Sequence, residues 1–423
     1  MYAGGKVTGG AGRGQPPADD HDAAALPAEF VAALASRGLS RRRFLQYCAG
    51  LTAVLALPPR MTSEVVRGLA AAAVSGRPRV VWLEFQDCAG CVESFLRSGD
   101  PDVASLLFGM ISLDYQETLM AAAGAQAEAA KRAAMAKPGY LLIVEGSVPQ
   151  GSIAGACTIG GRSAADLLAE AAKNAGAIIA VGTCASFGGI PAASPNPTGA
   201  IGAHELISGV PLVNVSGCPP NGDNIGAVIA HFLSFGGLPA ADELGRPLFA
   251  YGDRIHDHCD RRAFFDAGQF ALDFGDEGHS DGWCLYKLGC KGPSTFHNCP
   301  TLRWNDHTSW PVAAGHGCVG CSQPGFWDTM TPFYSQLPNV SGFGAEATAN
   351  EIGEIVVIGT AALFAVHGVG KAVQHRLARA GAAEARSQGP EEAKGETGSA
   401  DVRTSPPGAG SGAAGDGVEG APQ

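Results

Sequence analysis

Cysteine placement constrains this chain more than any other feature of the sequence. There are 12 cysteines in 423 residues, a density well below that of a disulfide scaffold. All except Cys48 lie between Cys88 and Cys321, mostly in segments rich in glycine and proline. Clustered thiols of this kind are typical of metal sites. We therefore expect a fold that holds its cysteines around bound metal.

Length and charge narrow the class of protein further. The chain is 46% hydrophobic, which is enough to build a real core in two domains plus tails. Its formal net charge is -11 and its pI is about 5.5. An acidic chain without a basic stripe offers no positive field for a phosphate backbone. We expect no nucleic-acid partner.

The segment 40–74 has the layout of an export signal. Ser40-Arg-Arg-Arg-Phe-Leu-Gln46 precedes an apolar run at 47–57 and small residues at 70–73. This order is typical of a twin-arginine signal peptide with an A-x-A-like cleavage site. On that interpretation Cys48 is removed with the signal. The alternative is a basic cap on an ordinary buried helix.

A second apolar segment, at 352–373, predicts a membrane anchor. Ile355 to Gly370 carries no charge, and it is followed by Lys371, Arg376 and Arg379. The run is just under the usual spanning length of ~17 to 25 residues, and Lys371 can extend it if its side chain reaches the interface. The basic flank places the body of the protein outside the cytoplasm. The alternative is a buried core helix.

Both ends of the chain are expected to be disordered. Residues 1–39 are rich in glycine, alanine, proline and aspartate, and residues 385–423 are rich in glycine, serine, proline and glutamate. Such compositions bury too little apolar surface to fold.

Four short apolar runs predict buried parallel strands, at 80–85, 140–144, 177–181 and 212–215. Alanine-rich helical stretches separate them. One runs from Ser163, a plausible N-cap, towards Gly176. This alternation predicts a doubly wound α/β domain, in which ligands gather beyond the carboxyl ends of the strands.

Four cysteines follow the ends of these predicted strands: Cys88, Cys91, Cys184 and Cys218. Four converging thiolates suit tetrahedral zinc or a 4Fe-4S cluster, and their spacing cannot choose between the two. Unrelated buried cysteines and a Cys-x-x-Cys redox pair are further alternatives. Flavin binding is suggested by fold analogy alone. Cys157 lies at no predicted strand end, and we interpret it as a structural thiol.

The segment from about Leu248 is loop-rich and has few long apolar runs, so we expect bound metal to shape it. It contains two constellations of metal-ligand residues. The first has one imidazole and three thiols, and the second has three thiols and no evident fourth ligand. Their members are, in order, His256, Cys259, Cys284 and Cys290, then Cys299, Cys318 and Cys321. A closed zinc site and an iron-sulfur cluster both remain open for each.

Seven motifs in this order resemble the small subunit of the nickel-iron hydrogenases, over roughly residues 78 to 345. They are Cys88-Ala-Gly-Cys91 with Glu93-Ser94-Phe95, Gly182-Thr-Cys184-Ala-Ser186, Gly217-Cys-Pro-Pro-Asn221, Ile255-His-Asp257, Cys284-Leu-Tyr-Lys-Leu-Gly-Cys290, Trp310-Pro311, and Ala314-Gly-His-Gly-Cys318-Val-Gly-Cys321. An ordered set of this length is highly specific. The resemblance implies a flavodoxin-like domain at 78–245 and a loop-rich iron-sulfur domain at 246–345.

The resemblance also implies three clusters. The proximal 4Fe-4S cluster would be held by Cys88, Cys91, Cys184 and Cys218. The distal 4Fe-4S cluster would be held by His256, Cys259, Cys284 and Cys290. The medial cluster would be held by Cys299, Cys318 and Cys321. Pro311 stands where a fourth thiolate would otherwise sit, so the medial cluster is expected to be 3Fe-4S.

In this family the chain conducts electrons, and dihydrogen is oxidised at a nickel-iron centre in a large subunit. The resemblance therefore implies that large subunit as a partner, no catalytic residue in this chain, and a membrane cytochrome b or other quinone-linked acceptor. The expected location is the periplasm or the outer face of the cytoplasmic membrane. Oxygen-tolerant members carry two extra proximal cysteines, whereas Ala89-Gly90 and Gly188-Gly189 stand here. The rival hypotheses are a respiratory iron-sulfur subunit without hydrogen chemistry and a zinc-braced secreted binding protein.

Overall fold

A five-stranded parallel sheet lies at the centre of the main body. The computed structural model describes residues 26–36, 39–99, 110–337 and 345–387. The sheet has the strand order β2-β1-β3-β6-β7, and these strands are β1 Arg79–Glu84, β2 Ser112–Gln116, β3 Tyr140–Glu145, β6 Ala175–Val181 and β7 Leu212–Val215. A small antiparallel hairpin is formed by β4 Thr158–Ile159 and β5 Arg162–Ser163. The order is that of a flavodoxin-like doubly wound fold, and the predicted α/β class is confirmed.

Helices cover both faces of this sheet. They are α4 Gly90–Leu96, α5 Gly124–Met135, α6 Ala164–Ala172, α7 Gly182–Phe187 and α8 Gly222–Phe235. Every residue of β3 is buried, as expected for a central strand that is covered on both faces. Alternate residues of the strands enter two apolar clusters, one containing α8 and the other containing α5 and α6.

Sequence patterns located four of these five strands. The edge strand β2 was not predicted, because its residues Ser-Leu-Asp-Tyr-Gln form no apolar run. Ser163 is the predicted N-cap, and its hydroxyl accepts a hydrogen bond from the Asp166 amide at 3.2 Å. The helix was expected to continue towards Gly176, but it ends at Ala172, and Gly176 lies in β6.

Short helices and loops make up the chain after β7 and α8. The helices are α9 Leu248–Tyr251, α10 Arg262–Asp266, α11 Glu277–Ser280, α12 Cys299–Leu302 and α13 Phe326–Thr329. Single turns of 3-10 helix occur at Ile255–His258, Tyr286–Leu288 and Gly292–Ser294. The loop-rich character that was predicted for this segment is confirmed.

The predicted boundary near residue 245 does not separate two compact bodies. Residues up to Gly344 form one unit, because polar contacts cross that boundary. The Ser216 hydroxyl donates to the Ser322 carbonyl at 2.9 Å, and Thr183 donates to the Cys321 carbonyl. The two predicted domains are therefore two halves of a single packed unit.

Three helices precede the sheet: α1 Ala28–Ala35, α2 Arg41–Val54 and α3 Thr62–Val74. The disorder predicted for residues 1–39 is wrong for α1, because Phe30 and Leu34 pack into the same apolar cluster as α8. Residues 1–25 lie outside the described part of the chain. The predicted signal segment is helical and packed: Cys48 and Leu69 are both fully buried.

A separate unit begins at Ala345. Its described residues form one helix, α14, Ala345–Ser387. Within it, Val356–Ala383 contains an 18-residue window with a mean hydropathy of 1.7, and by length and composition it is long and apolar enough to cross a membrane. Disorder was expected from residue 385, but the helix continues to Ser387; residues 388–423 lie outside the described part of the chain.

Candidate metal centres

The carboxyl edge of the sheet gathers the first set of thiols. Cys88 follows β1, Cys91 lies in α4, Cys184 lies in α7 and Cys218 follows β7. Burial raises the pKa of Cys91 well above its usual value, and the charges of Glu145 and of the other three thiols raise it further. Burial likewise raises the pKa of Cys184 to about 11 and that of Cys218 to about 12. The structure thus brings the four predicted residues together, in a place where thiolates need a compensating cation.

Two glycines leave room for these sulfur atoms. A Cβ at Gly182 would lie 2.5 Å from Cys91 Sγ, and a Cβ at Gly189 would lie 2.5 Å from Cys184 Sγ. Both glycines have positive φ, 89° and 59°, which side chains rarely adopt. At these two positions the backbone therefore approaches the sulfur atoms closely, and a side chain there would clash with them.

A buried carboxylate, Glu145 at the end of β3, fixes the Cys91 loop. Its Oε1 accepts from the backbone amides of Cys91 at 3.0 Å and Val92 at 3.3 Å, and its Oε2 accepts from Trp82 Nε1 at 3.2 Å. Burial, then the charges of Asp87 and Glu84, raises its pKa to about 8. Sequence analysis missed this residue, although it stands directly at a predicted strand end.

The second constellation lies in the loop-rich half. Cys284 is buried, and its pKa is raised to about 12 by burial and by the charges of Cys290 and Cys259. A Cβ at Gly292 would meet Cys290 Sγ at 3.5 Å and the His256 amide at 3.8 Å, so the imidazole-bearing turn adjoins these thiols. Burial lowers the pKa of His256 to about 4. A neutral imidazole at neutral pH is the form that binds metal.

The third constellation lines a cavity of about 520 Å³. Cys299, Cys318 and Cys321 all contribute to its wall, and so does Pro311. Burial raises the pKa of Cys299, and the charge of Cys321 raises it further. The structure therefore places the three predicted thiols around one cavity. Pro311, which was predicted to stand in place of a fourth thiolate, lines the same cavity.

Contacts link the three sets in a series. Cys218, from the first set, lines the cavity of the third, and the charge of Cys321 adds to the rise in its pKa. At the other side, Cys290 Sγ accepts a hydrogen bond from the Cys318 amide at 3.2 Å. The third set thus touches both of the others.

The spacing of the ligand atoms bears on the choice between zinc and a cluster. Over the described residues, one group of three or more histidine, cysteine or carboxylate ligand atoms lies within 4.8 Å of one another, and it is Glu84, Asp87 and Glu145. A tetrahedral zinc with bonds of ~2.3 Å would bring its sulfur atoms to about 3.8 Å from one another. The thiol sets are more open than that, which favours the larger iron-sulfur cluster.

Three buried polar residues beside these sites were missed by sequence analysis. His297 Nδ1 lies 3.0 Å from Cys299 Sγ. Lys291 is 2% exposed, and its Nζ donates to the Pro332 carbonyl at 3.0 Å. Arg246 forms a buried ion pair with Asp242 at 2.8 Å. His297 and Lys291 stand next to the predicted ligands in sequence, which is the signal that could have identified them.

Two families match this chain. Residues 251–334 match the C-terminal segment of NiFe/NiFeSe hydrogenase small subunits. Residues 88–232 match the 20 kDa subunit of NADH ubiquinone oxidoreductase. The match over residues 251–334 therefore decides between the two rival electron-transfer hypotheses. It favours the hydrogenase small subunit, and the respiratory subunit without hydrogen chemistry is not favoured.

Whole-length relatives agree with this assignment. The chain is 48% identical over 346 residues to the quinone-reactive Ni/Fe-hydrogenase small chain of Wolinella succinogenes, covering 79% of this chain and 97% of that one. It is 46% identical over 349 residues to the uptake hydrogenase small subunit of Azotobacter vinelandii, covering 82% and 96%.

Solved structures show the same fold. The Ni-Fe-Se hydrogenase of Desulfomicrobium baculatum matches with a TM-score of 0.58 and 34% identity, covering 62% of this chain and 99% of that one. The actinobacterial-type NiFe-hydrogenase of Ralstonia eutropha H16 matches with a TM-score of 0.58 and 26% identity, covering 67% and 91%.

The parallel sheet with thiols at its edge, joined to a loop-rich half with two further ligand sets, defines an iron-sulfur electron-transfer protein. The identity to the whole-length relatives, and the coverage of both chains, define the family more narrowly than the fold and the thiol sets do. The chain belongs to the family of nickel-iron hydrogenase small subunits. It is accordingly the electron-transferring component of a hydrogenase.

Proposed function

We propose that this chain holds three iron-sulfur clusters in series and passes electrons from a hydrogenase large subunit to a membrane acceptor. The proximal 4Fe-4S ligands are Cys88, Cys91, Cys184 and Cys218. The distal 4Fe-4S ligands are His256, Cys259, Cys284 and Cys290. The medial 3Fe-4S ligands are Cys299, Cys318 and Cys321. When bound, such clusters accept and release single electrons.

One observation carries this proposal: the medial ligand residues adjoin both neighbouring sets. Cys218 and Cys321 both line the medial cavity, and the Cys318 amide donates to Cys290 Sγ. A ligand set that braced the fold would have no need of such contacts. Electron transfer does need them, because it requires short steps between adjacent sites.

The medial site is assigned three irons because of its donor set. Pro311 offers no side-chain ligand atom, and it lines the same cavity as the three thiols. A fourth iron has no thiolate to hold it there. A thiol introduced at residue 311 would supply that ligand.

An ordinary four-cysteine proximal cluster is proposed as well. A Cβ at Gly189 would already lie 2.5 Å from Cys184 Sγ, so residue 189 has no room for a further sulfur ligand. We therefore expect no oxygen tolerance of the kind that depends on extra proximal cysteines.

Export and anchoring complete the proposal. The twin arginines at the start of α2 direct the chain outward, and the apolar stretch Val356–Ala383 anchors it in the membrane. The relative from Wolinella succinogenes is described as quinone-reactive, and the relative from Azotobacter vinelandii as an uptake hydrogenase. We infer from these relatives that the electrons from dihydrogen reach a quinone-linked membrane acceptor such as a cytochrome b.

Iron and acid-labile sulfide content, with low-temperature EPR on anaerobic protein, tests the cluster assignment. Two four-iron clusters and one three-iron cluster give about eleven irons per chain. Pro311→Cys is expected to remove the oxidised 3Fe-4S signal, while the matched change Pro293→Cys, which is outside the medial cavity wall, leaves it in place. Zinc without labile sulfide would contradict the proposal.

A further inference from the structure

The segment that the sequence identifies as an export signal is folded onto the main body. Phe44, Tyr47 and Leu51 of α2, and Val65 and Leu69 of α3, are buried in the same apolar cluster as α8. That cluster also includes alternate residues of β1, β3 and β6, and the two helices pack on α8, which lies on this side of the sheet. A leader that stayed in solvent would have none of this burial.

The contact between α3 and α8 is specific. A Cβ at Gly68 would lie 2.4 Å from the backbone oxygen of Ser234 and 2.5 Å from its Cα. Both are backbone atoms, which cannot rotate away. Glycine at residue 68 therefore lets the two helix backbones approach directly, and any other residue would force the helices apart.

The two functional ends of the segment are in different environments. Arg41, Arg42 and Arg43 are exposed in the first turn of α2. At the predicted cleavage site Ala70 and Ala72 are 2% and 8% exposed, whereas Ala71 is exposed and Ala73 is half-buried, and all four lie within the helical turns of α3. Proteolysis concentrates at exposed, locally unfolded segments. The recognition end is therefore accessible, while the cleavage site is held in a packed helix rather than in an extended segment.

We propose that the helices α1, α2 and α3 form a cap that docks on the α8 side of the sheet and must undock before the leader can be cut. Docking of the cap does not depend on the proposed export. The consequence of docking for cleavage of the leader does rest on the proposed export. In this arrangement a folded precursor presents its arginines, keeps the cleavage site in a helix and covers a large apolar surface.

Cys48 is a reporter of docking. It is fully buried in α2, it belongs to none of the three ligand sets, and burial raises its pKa to about 12. Cys157, which is partly exposed and belongs to no ligand set either, is an internal reference. Alkylation by N-ethylmaleimide, followed residue by residue with peptide mass mapping, measures the reaction rates of both thiols in the full-length precursor.

A matched pair of variants separates docking from helix stability. Gly68→Ala and Gly50→Ala both replace a helical glycine by alanine, which favours the helix in each case. A Cβ at Gly50 meets nothing within 4 Å, so only the change at residue 68 obstructs the contact with α8. The prediction therefore depends on the difference between the two variants.

In the wild-type precursor we expect Cys48 to react at least about 100-fold more slowly than Cys157. Gly68→Ala should raise the Cys48 rate roughly tenfold or more and leave the Cys157 rate unchanged, while Gly50→Ala should change neither. Equal rates for the two thiols in the wild type would overturn the proposal even if Gly68→Ala failed to fold. Equal effects of the two variants would overturn it as well.

Export is tested separately. Replacing Arg41 and Arg42 by lysine should retain the precursor in the cytoplasm, as seen by cell fractionation, without changing Cys48 protection. Unchanged export together with a protected Cys48 would contradict the proposed export route and leave the cap intact. A reactive Cys48 in the wild-type precursor, together with normal export of the wild-type chain, would contradict the cap and leave the export route intact.

Discussion

The two halves of the main body present their metal ligands in different ways. In the sheet half, residues 79–235, the predicted ligands stand at the ends of buried parallel strands and in the turns that follow them. In the loop half, residues 246–337, the longest helix is Arg262–Asp266, of 5 residues. The small apolar cluster of the loop half includes the predicted ligands Cys299 and Cys318 themselves, with Cys259 and Cys290 packed against it.

This difference shows which half can form its site without metal. The sheet half has two apolar clusters whose buried members include no ligand cysteine, although Cys91 packs against one of them, so apolar burial holds its strands before metal arrives. In the loop half the ligands are part of the core. Metal binding then supplies folding free energy that apolar burial does not provide.

The largest expected effect is loss of structure in the loop half when the clusters are absent. We predict that in cluster-free protein the amides of 255–322 exchange at rates close to those of an unfolded chain. Amides of β3 and β6 should remain protected by about a thousandfold or more, since central strands open only in global unfolding. Hydrogen exchange with mass spectrometry on matched holo and apo samples measures this. Equal loss of protection in both halves would remove the distinction.

A smaller effect is expected from crowding the proximal sulfurs. Gly182→Ala places a Cβ 2.5 Å from Cys91 Sγ, so the proximal cluster should be lost or strongly distorted. The control is Gly139→Ala. Gly139 also has positive φ, 86°, but a Cβ there meets nothing within 4 Å, and both changes incur a similar backbone penalty of about 1 to 2 kcal/mol.

The measurement is EPR of the reduced protein together with iron content. Gly182→Ala should lose about four irons, as a four-iron cluster requires, and keep the medial signal. Gly139→Ala should keep all of its iron. If Gly182→Ala also lost the medial signal, the sheet half would not be holding its ligand set independently.

A third prediction concerns Glu145, which ties the Cys91 loop to β3. In Glu145→Gln one oxygen becomes an NH2 group, and it must face either Trp82 Nε1 or the backbone amides of Cys91 and Val92. At pH 4.5, well below the raised pKa of Glu145, both side chains are neutral in the folded state, and the NH2 group, unlike a hydroxyl oxygen, cannot accept a hydrogen bond; we therefore expect a loss of about 1 to 3 kcal/mol in unfolding free energy there. Glu170→Gln, in an exposed ion pair with Arg162, should lose at most about 1 kcal/mol. Chemical denaturation of both variants measures the difference.

The same contrast explains what the sequence could predict. The four central strands and three ligand sets were found because apolar runs and cysteine spacings are local signals. Glu145, Arg246 and Lys291 were missed because their roles come from contacts made across the fold: Lys291 donates to Pro332, 41 residues further along the chain. The edge strand β2 was missed because it pairs only with β1 and carries no apolar run.

The packed leader was missed for a related reason. Apolar helices of a signal peptide and of a core have the same pattern, and the sequence analysis had kept the buried helix only as an alternative. What distinguishes the two is the partner surface on α8 and the glycine contact at residue 68. Neither is visible in the segment itself.

The smallest expected effect tests how rigid the sheet half is at its carboxyl edge. Burial raises the pKa of Glu117, which follows β2, to about 7, and the nearby Glu84 charge contributes to the rise. A raised carboxyl pKa means that the folded state binds the proton more tightly, so this contribution to stability is complete below about 4.5 and is lost as the pH rises through about 7.

Glu117→Gln removes this pH dependence, because the amide is neutral throughout and can still accept from the Glu84 amide, which lies 3.2 Å from Glu117 Oε2. The variant should match the wild type at pH 4.5 and be more stable at pH 8 by about 1 to 2 kcal/mol, after allowing for solvent screening. Thermal unfolding at the two pH values measures this. A variant that gained nothing at pH 8 would mean that the edge relaxes around the charge, which would weaken the contrast between a rigid sheet half and a metal-shaped loop half.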